Sequence, residues 1–210
     1  MNIAVLGASF DPGHNGHLAI ARNVLRSQKV NKVILMPVNI HPFAKELTKA
    51  SHRLEMAKFL IGKDIEVSDL EIKKNSTSYS IDTLKSLQKQ FPKDKFFWII
   101  GSDHLGNFTK WKDWQKIIKD FGLIVVARDT SHLRGGVAPQ SNAAGTFDVP
   151  PAAHLAGESR RNIIILNAKD FPPFDISSSE IKKKVKEGKS ITNLVPKEVE
   201  SYIIRNKLYE

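Results

Sequence analysis

The short apolar segment Asn2-Ile3-Ala4-Val5-Leu6 runs straight into the turn Gly7-Ala8-Ser9-Phe10-Asp11-Pro12-Gly13-His14-Asn15-Gly16-His17. That turn runs into the helical pattern Leu18-Ala19-Ile20-Ala21-Arg22-Asn23-Val24-Leu25. A continuous apolar run of this length reads as a strand buried on both faces, which is the mark of a parallel sheet covered by helices. The backbone N–H groups of a helix N-terminus lack intrahelical partners, and the helix dipole favours anions there. His14 and His17 are three apart and on a helix would share a face. Two imidazoles over an anion site point to chemistry on a phosphate. The plainer reading is a common glycine turn with structural histidines. The H-x-G-H spacing at the mouth of the first helix favours the phosphate.

The alternation continues. Val33-Ile34-Leu35-Met36 reads as a strand ended by Pro37, and Arg53 to Ile61 as a helix. Ile65-Glu66-Val67 reads as a weaker strand, Ser80 to Phe91 as a helix and Phe96 to Ile100 as a strand. Trp111 to Lys119 has helical spacing, Leu123 to Ala127 and Ile163 to Leu166 are two more strands, and helices start near Ser178 and Pro196. Such a chain is expected to form an α/β domain over residues 1–210, with ligands beyond the carboxyl ends of its parallel strands. The stretch from Asp129 to Arg161 has no lysine and no isoleucine and shows no periodicity. It reads as a mobile loop or lid. Its Arg134, Arg160 and Arg161 could reach a phosphate, although solvated loop charges are the plainer reading.

Composition narrows the partners. No run approaches the ~20 apolar residues of a membrane helix, and no signal-peptide pattern opens the chain. A cytoplasmic protein is the expectation. The absence of cysteine excludes disulfides and thiolate metal sites. A net charge of +10 favours anionic partners, yet no stripe of arginines and aromatics marks a nucleic-acid groove, so none is expected. Oligomeric state stays open.

Further constellations sit near the ends of elements. In Thr77-Ser78-Tyr79-Ser80-Ile81-Asp82-Thr83-Leu84, hydroxyls precede and enter a helix, and Ser80 would serve as an N-cap. Asp103, in Gly101-Ser102-Asp103, follows the strongest strand and would either accept from ribose hydroxyls or cap the next helix. Trp111 and Trp114 at helical spacing are either core or a stacking surface for a flat ring. His41 and Lys45 follow the second strand, and Lys45 suits a phosphate. Asp175-Ile176-Ser177-Ser178-Ser179-Glu180-Ile181-Lys182 is a well-capped helix start or a second anion site.

The first string resembles the G-x-F-D-P-x-H-x-G-H signature of the nucleotidyltransferase superfamily of α/β phosphodiesterases. Taken with Ser78 to Leu84, Gly101-Ser102-Asp103, Trp111, Trp114, Arg128, Ile176 to Lys182 and the tail from Leu194-Val195-Pro196 to Leu208-Tyr209, the chain resembles the nicotinate- or nicotinamide-mononucleotide adenylyltransferases over nearly its whole length. It departs from that pattern at Ala8 for glycine, Ser179 for threonine and Lys182 for arginine, and in His41-Pro42-Phe43-Ala44-Lys45 for the usual Pro-Pro-His-Lys.

The resemblance implies a Rossmann-like doubly wound parallel sheet with a C-terminal helical extension. It also implies adenylyl transfer from ATP to nicotinate mononucleotide or its amide, with Mg²⁺ accompanying ATP. His14, His17, Lys45 and Lys182 would act on the phosphates. Gly7, Ala8, Ser9, Phe10, Gly16, Gly101, Asp103, Ile176, Ser177, Ser178 and Ser179 would bind ATP. Tyr79, Ser80, Thr83 and Trp111 would bind the acceptor, with Trp111 stacked on the pyridine ring. A pantetheine-phosphate adenylyltransferase and a non-catalytic nucleotide- or RNA-binding module on the same fold are the alternatives.

Overall fold

The computed structural model describes residues 1–40, 46–74, 76–126, 162–166 and 176–210. The expected lid at 129–161 lies outside them, as do His41, Lys45 and Arg128. Six strands form one sheet: β1 (Asn2–Ala8), β2 (Lys32–Pro37), β3 (Ile65–Val67), β4 (Lys95–Gly101), β5 (Leu123–Val126) and β6 (Ile163–Leu166). Their order is β3-β2-β1-β4-β5-β6, the doubly wound arrangement expected. The pairs β1–β4, β2–β3, β4–β5 and β5–β6 run parallel, with Val5 opposite Trp98 and Ile99 opposite Ile124. Every residue of β5 is buried, which is why its sequence shows no polar alternation.

The helices are α1 (Asn15–Arg26), α2 (Ala50–Lys58), α3 (Leu70–Lys74), α4 (Ser80–Gln90), α5 (Leu105–Phe108), α6 (Trp114–Asp120), α7 (Ser178–Lys186) and α8 (Lys197–Arg205). The two C-terminal helices start where the serine and proline signals put them. The chain divides into two compact units, one of Met1–Val5 with Tyr79–Pro173 and one of Leu6–Ser78 with Phe174–Glu210. In the second unit, Met56 of α2 is buried with Ile181, Ile191, Val195, Val199 and Ile203, so the C-terminal extension has its own apolar core.

Three local expectations are corrected. β1 continues through Ala8, so Gly7 and Ala8 belong to the strand rather than the turn. His14 stands outside α1 in an extended conformation, as its N-cap, so the two histidines do not share a helical face. The helix expected from Trp111 starts at Trp114, because Asp113 takes the left-handed conformation (φ 51°) and interrupts the run. Trp111 and Trp114 therefore meet on Phe108, at 5.3 and 6.2 Å between ring centroids, instead of lying along one helix.

Candidate active site

The turn after β1 is held by its side chains. Phe10 adopts φ 50°, a conformation that costs a non-glycine residue about 1–2 kcal/mol. Its ring is wholly buried, and that burial returns a similar amount, about 2 kcal/mol. The ring lies 4.6 Å from that of His17, which lies 3.8 Å from that of His14. The His14 backbone N–H donates to His17 Nδ1 at 3.2 Å. A backbone N–H can only donate, so Nδ1 of the neutral His17 ring is an acceptor and Nε2 carries the proton. Gly16 makes room for this stack, since a Cβ there would lie 2.9 Å from His14 Nδ1.

The C-terminal serine turn belongs to the same unit. Ser177 caps α7, its hydroxyl accepting from the Glu180 N–H at 3.2 Å. Ser178 Oγ donates to the Pro12 carbonyl at 3.2 Å, across 166 residues of chain. A Cβ on Gly16 would be 3.5 Å from the Ile176 carbonyl. At the start of α1 the Asn15 N–H donates to the Leu194 carbonyl at 2.9 Å, and its side chain donates to the Asn193 carbonyl at 3.1 Å. The two polar turns singled out in the sequence thus meet. Ser179 is exposed beside them.

Asp11 lies beneath, almost wholly buried. Its Oδ2 accepts from Lys182 Nζ at 2.5 Å and from the Thr48 N–H at 3.2 Å, and its Oδ1 accepts from the Tyr209 hydroxyl at 2.7 Å. Burial alone would push this carboxyl up, but the Lys182, Thr48 and Tyr209 hydrogen bonds outweigh it and hold Asp11 below its ordinary range. Burial and the Asp11 charge push the Tyr209 phenol well above its ordinary value, so it remains a donor. Lys182 keeps a third of its side chain exposed.

Arg53 is the largest fully buried side chain among the described residues. Its guanidinium donates to the carbonyls of Thr48 (2.8 Å), Ser9 (3.0 Å), Val38 (2.5 Å) and Asn39 (3.0 Å). One cation thereby fastens the turn after β1, the segment after β2 and the entry to α2. Burial pulls the Arg53 pKa down, and the Asp11 charge partly offsets this.

Tyr79, Ser80, Thr83, Gly101, Asp103 and Trp111 belong to the other unit. Tyr79, not Ser80, is the N-cap residue of α4, and Ser80 is the first helical position. The Tyr79 ring is partly exposed, with Lys112 Nζ 4.8 Å from its centroid and bonded to Asp82 at 2.8 Å. Thr83 is buried, its hydroxyl donating back to the Tyr79 carbonyl at 3.3 Å. Gly101 ends β4, and Asp103 follows on a short 3₁₀ turn with its carboxylate 3.6 Å from His104 Nε2. Trp111 is half-buried against Phe108.

Comparison with known proteins gives the family and the fold. Residues 5–184 match the cytidylyltransferase-like family. The "Probable nicotinate-nucleotide adenylyltransferase" of Methylacidiphilum infernorum (isolate V4) is 34% identical, over 99% of this chain and 91% of its own length. A protein of the same name from Geobacter sp. (strain M21) is 35% identical over 100% of this chain and 98% of its own. The chain belongs to the nicotinate-nucleotide adenylyltransferase family. Its fold matches that of the Plasmodium falciparum nicotinic acid mononucleotide adenylyltransferase complexed with NaAD, with a TM-score of 0.75 at 22% identity over 99% of this chain and 97% of that one.

Sequence reasoning gave no role to Asp11, Arg53 or Tyr209. Arg53 left a readable trace: Arg53, Met56, Ala57 and Leu60 follow helical spacing and are all buried, so a charge sits on the apolar face of α2. Tyr209 was legible only as part of the tail that carries the family resemblance, with no chemical role attached. Lys45, assigned to the phosphates from the sequence, lies outside the described residues.

Proposed function

We propose that this family member is a nicotinate-nucleotide adenylyltransferase of NAD biosynthesis, transferring AMP from ATP to nicotinate mononucleotide and releasing pyrophosphate. One observation carries most of the weight: the H-x-G-H turn and the serine turn are hydrogen-bonded through Ser178 and Pro12, with Lys182 close by on Asp11. Two helix N-termini, two imidazoles and an ammonium in one unit suit a polyphosphate.

A phosphate oxygen of the acceptor attacks the α-phosphorus of ATP, and the bond to pyrophosphate breaks in line. The nucleophile is already an anion, so no general base is needed. The protein's work is then alignment and stabilisation of developing charge. His17 donates from Nε2 to a phosphate oxygen, and His14, stacked on it, takes a neighbouring one. Lys182 and Lys45 neutralise the departing pyrophosphate. Gly7 to Phe10 and Gly16 let backbone approach the nucleotide, and Ile176 to Ser179 receive adenine and phosphates. Gly101 and Asp103 receive the ribose. Tyr79, Ser80, Thr83 and Trp111 bind the acceptor, with Trp111 stacked on its ring.

Among the described residues no cluster of three His, Asp or Glu stands ready for a metal. Mg²⁺ accompanying ATP would supply charge neutralisation to its phosphates. Among those residues, too, no helix is long and apolar enough to cross a membrane.

The test is pyrophosphate release with ATP and each of three acceptors: nicotinate mononucleotide, its amide and pantetheine phosphate. Turnover led by nicotinate mononucleotide supports the reading. Turnover only with pantetheine phosphate, or ATP binding without any pyrophosphate release, refutes it.

A further inference from the structure

We infer that Tyr209, at the end of the chain, is a positioning residue for Lys182. The inference rests on the proposed role of Lys182 in neutralising the leaving pyrophosphate. Tyr209 reaches Lys182 in two ways. Its hydroxyl donates to Oδ1 of Asp11 while the ammonium takes Oδ2 of the same carboxylate. Its ring also lies beneath that ammonium, 5.1 Å from centroid to Nζ.

A lysine ammonium is a point charge on a flexible four-carbon stem, without the planar fork that orients an arginine. Something else must set its direction. Asp11 can do so only if its own rotation is stopped, because either oxygen of a free carboxylate would serve the lysine equally. The Tyr209 hydroxyl occupies one oxygen and leaves the other to Lys182. The Thr48 N–H, on the same oxygen as Lys182, closes the arrangement. Arg53, the other cation acting on Asp11, is committed to four backbone carbonyls and does not supply this orientation.

The tail is held for this purpose by packing. Leu208 and Tyr209 rest against the core of Met56, Ile181 and Ile203. A side chain 198 residues from Asp11 thus completes its coordination. The tail is in this sense part of the active site rather than a dangling end.

A double-mutant cycle tests the link. With Lys182 intact, Tyr209→Phe should lower kcat about fivefold, which is about 1 kcal/mol in the barrier, and change the KM for ATP less than about twofold. In a Lys182→Met background the same change should have no further effect. Asp11→Asn is the second probe: its amide oxygen can still accept from Tyr209, while its NH₂ meets Lys182. It should match Lys182→Met in turnover and also be silent in that background, whether or not Tyr209→Phe folds. Thermal unfolding of each variant accompanies the kinetics. Multiplicative losses from Tyr209→Phe or Asp11→Asn on top of an impaired Lys182→Met would overturn the inference alone. Full turnover by Lys182→Met would overturn the role of Lys182 beneath it.

Discussion

Replacing Arg53 with methionine removes a side chain that ties three segments of the Leu6–Ser78 stretch together. The guanidinium makes four hydrogen bonds of 2.5–3.0 Å, all to backbone carbonyls, and is 1% exposed. Methionine fills much of the same space but donates nothing. Each carbonyl left without that donor costs about 1 kcal/mol or more. Four of them give about 4 kcal/mol, with the recovered desolvation of the buried charge already working against a larger figure. For a chain of this size the melting temperature should fall by about 8–16 °C, at roughly 2–4 °C per kcal/mol. Arg53→Lys keeps the charge, but a single ammonium cannot span four carbonyls in the plane of a fork, and about half the loss is expected, ~2 kcal/mol. Reversible urea unfolding followed by circular dichroism measures both. A loss under about 1 kcal/mol in Arg53→Met would refute the reasoning, as would wild-type stability in Arg53→Lys.

Other outcomes follow from the same geometry. His17→Ala should lower turnover by about 10²-fold or more, if one such donor contributes roughly 3 kcal/mol to the transition state, with ATP affinity falling far less; steady-state kinetics and ATP titration separate the two, and near-wild-type turnover would defeat the assignment. Gly16→Ala favours the helix by propensity, about 1 kcal/mol, but pushes a methyl to 2.9 Å from His14 Nδ1; a protein of unchanged melting temperature and turnover reduced about tenfold is expected, and unchanged turnover would show that the placement of that ring does not matter. Asp11 is held below its ordinary value of 3.8, so the unfolded chain takes up its proton first as pH falls. The stability this group contributes is complete above the ordinary value and is lost as pH falls through the lower folded one. The stability gap between wild type and Asp11→Asn should therefore narrow below pH about 4; a gap that stays constant into strong acid would contradict it.

The elements and their order were legible because they rest on local pattern. Short apolar runs bounded by turn residues marked six strands, and serine and proline marked the starts of the last two helices within about a residue. The short helices α3 and α5 were not marked, being too brief to show a period. At the site, the H-x-G-H and serine turns were legible as motifs, and the chemistry of their residues pointed to phosphate.

Sequence alone determined that this chain would make an α/β sheet with anion-binding turns at two helix starts, since periodicity, capping and turn chemistry act between neighbours along the backbone. Tertiary structure decided the rest. His14 became a cap stacked on His17, because its backbone N–H found the His17 ring. Trp111 left the helix because Asp113 took a left-handed turn. Asp11 met Lys182 and Tyr209, 171 and 198 residues away, and Arg53 gathered carbonyls from three segments. Partners that far apart are chosen by the packing of whole elements against one another, and no pattern within a short window encodes that choice.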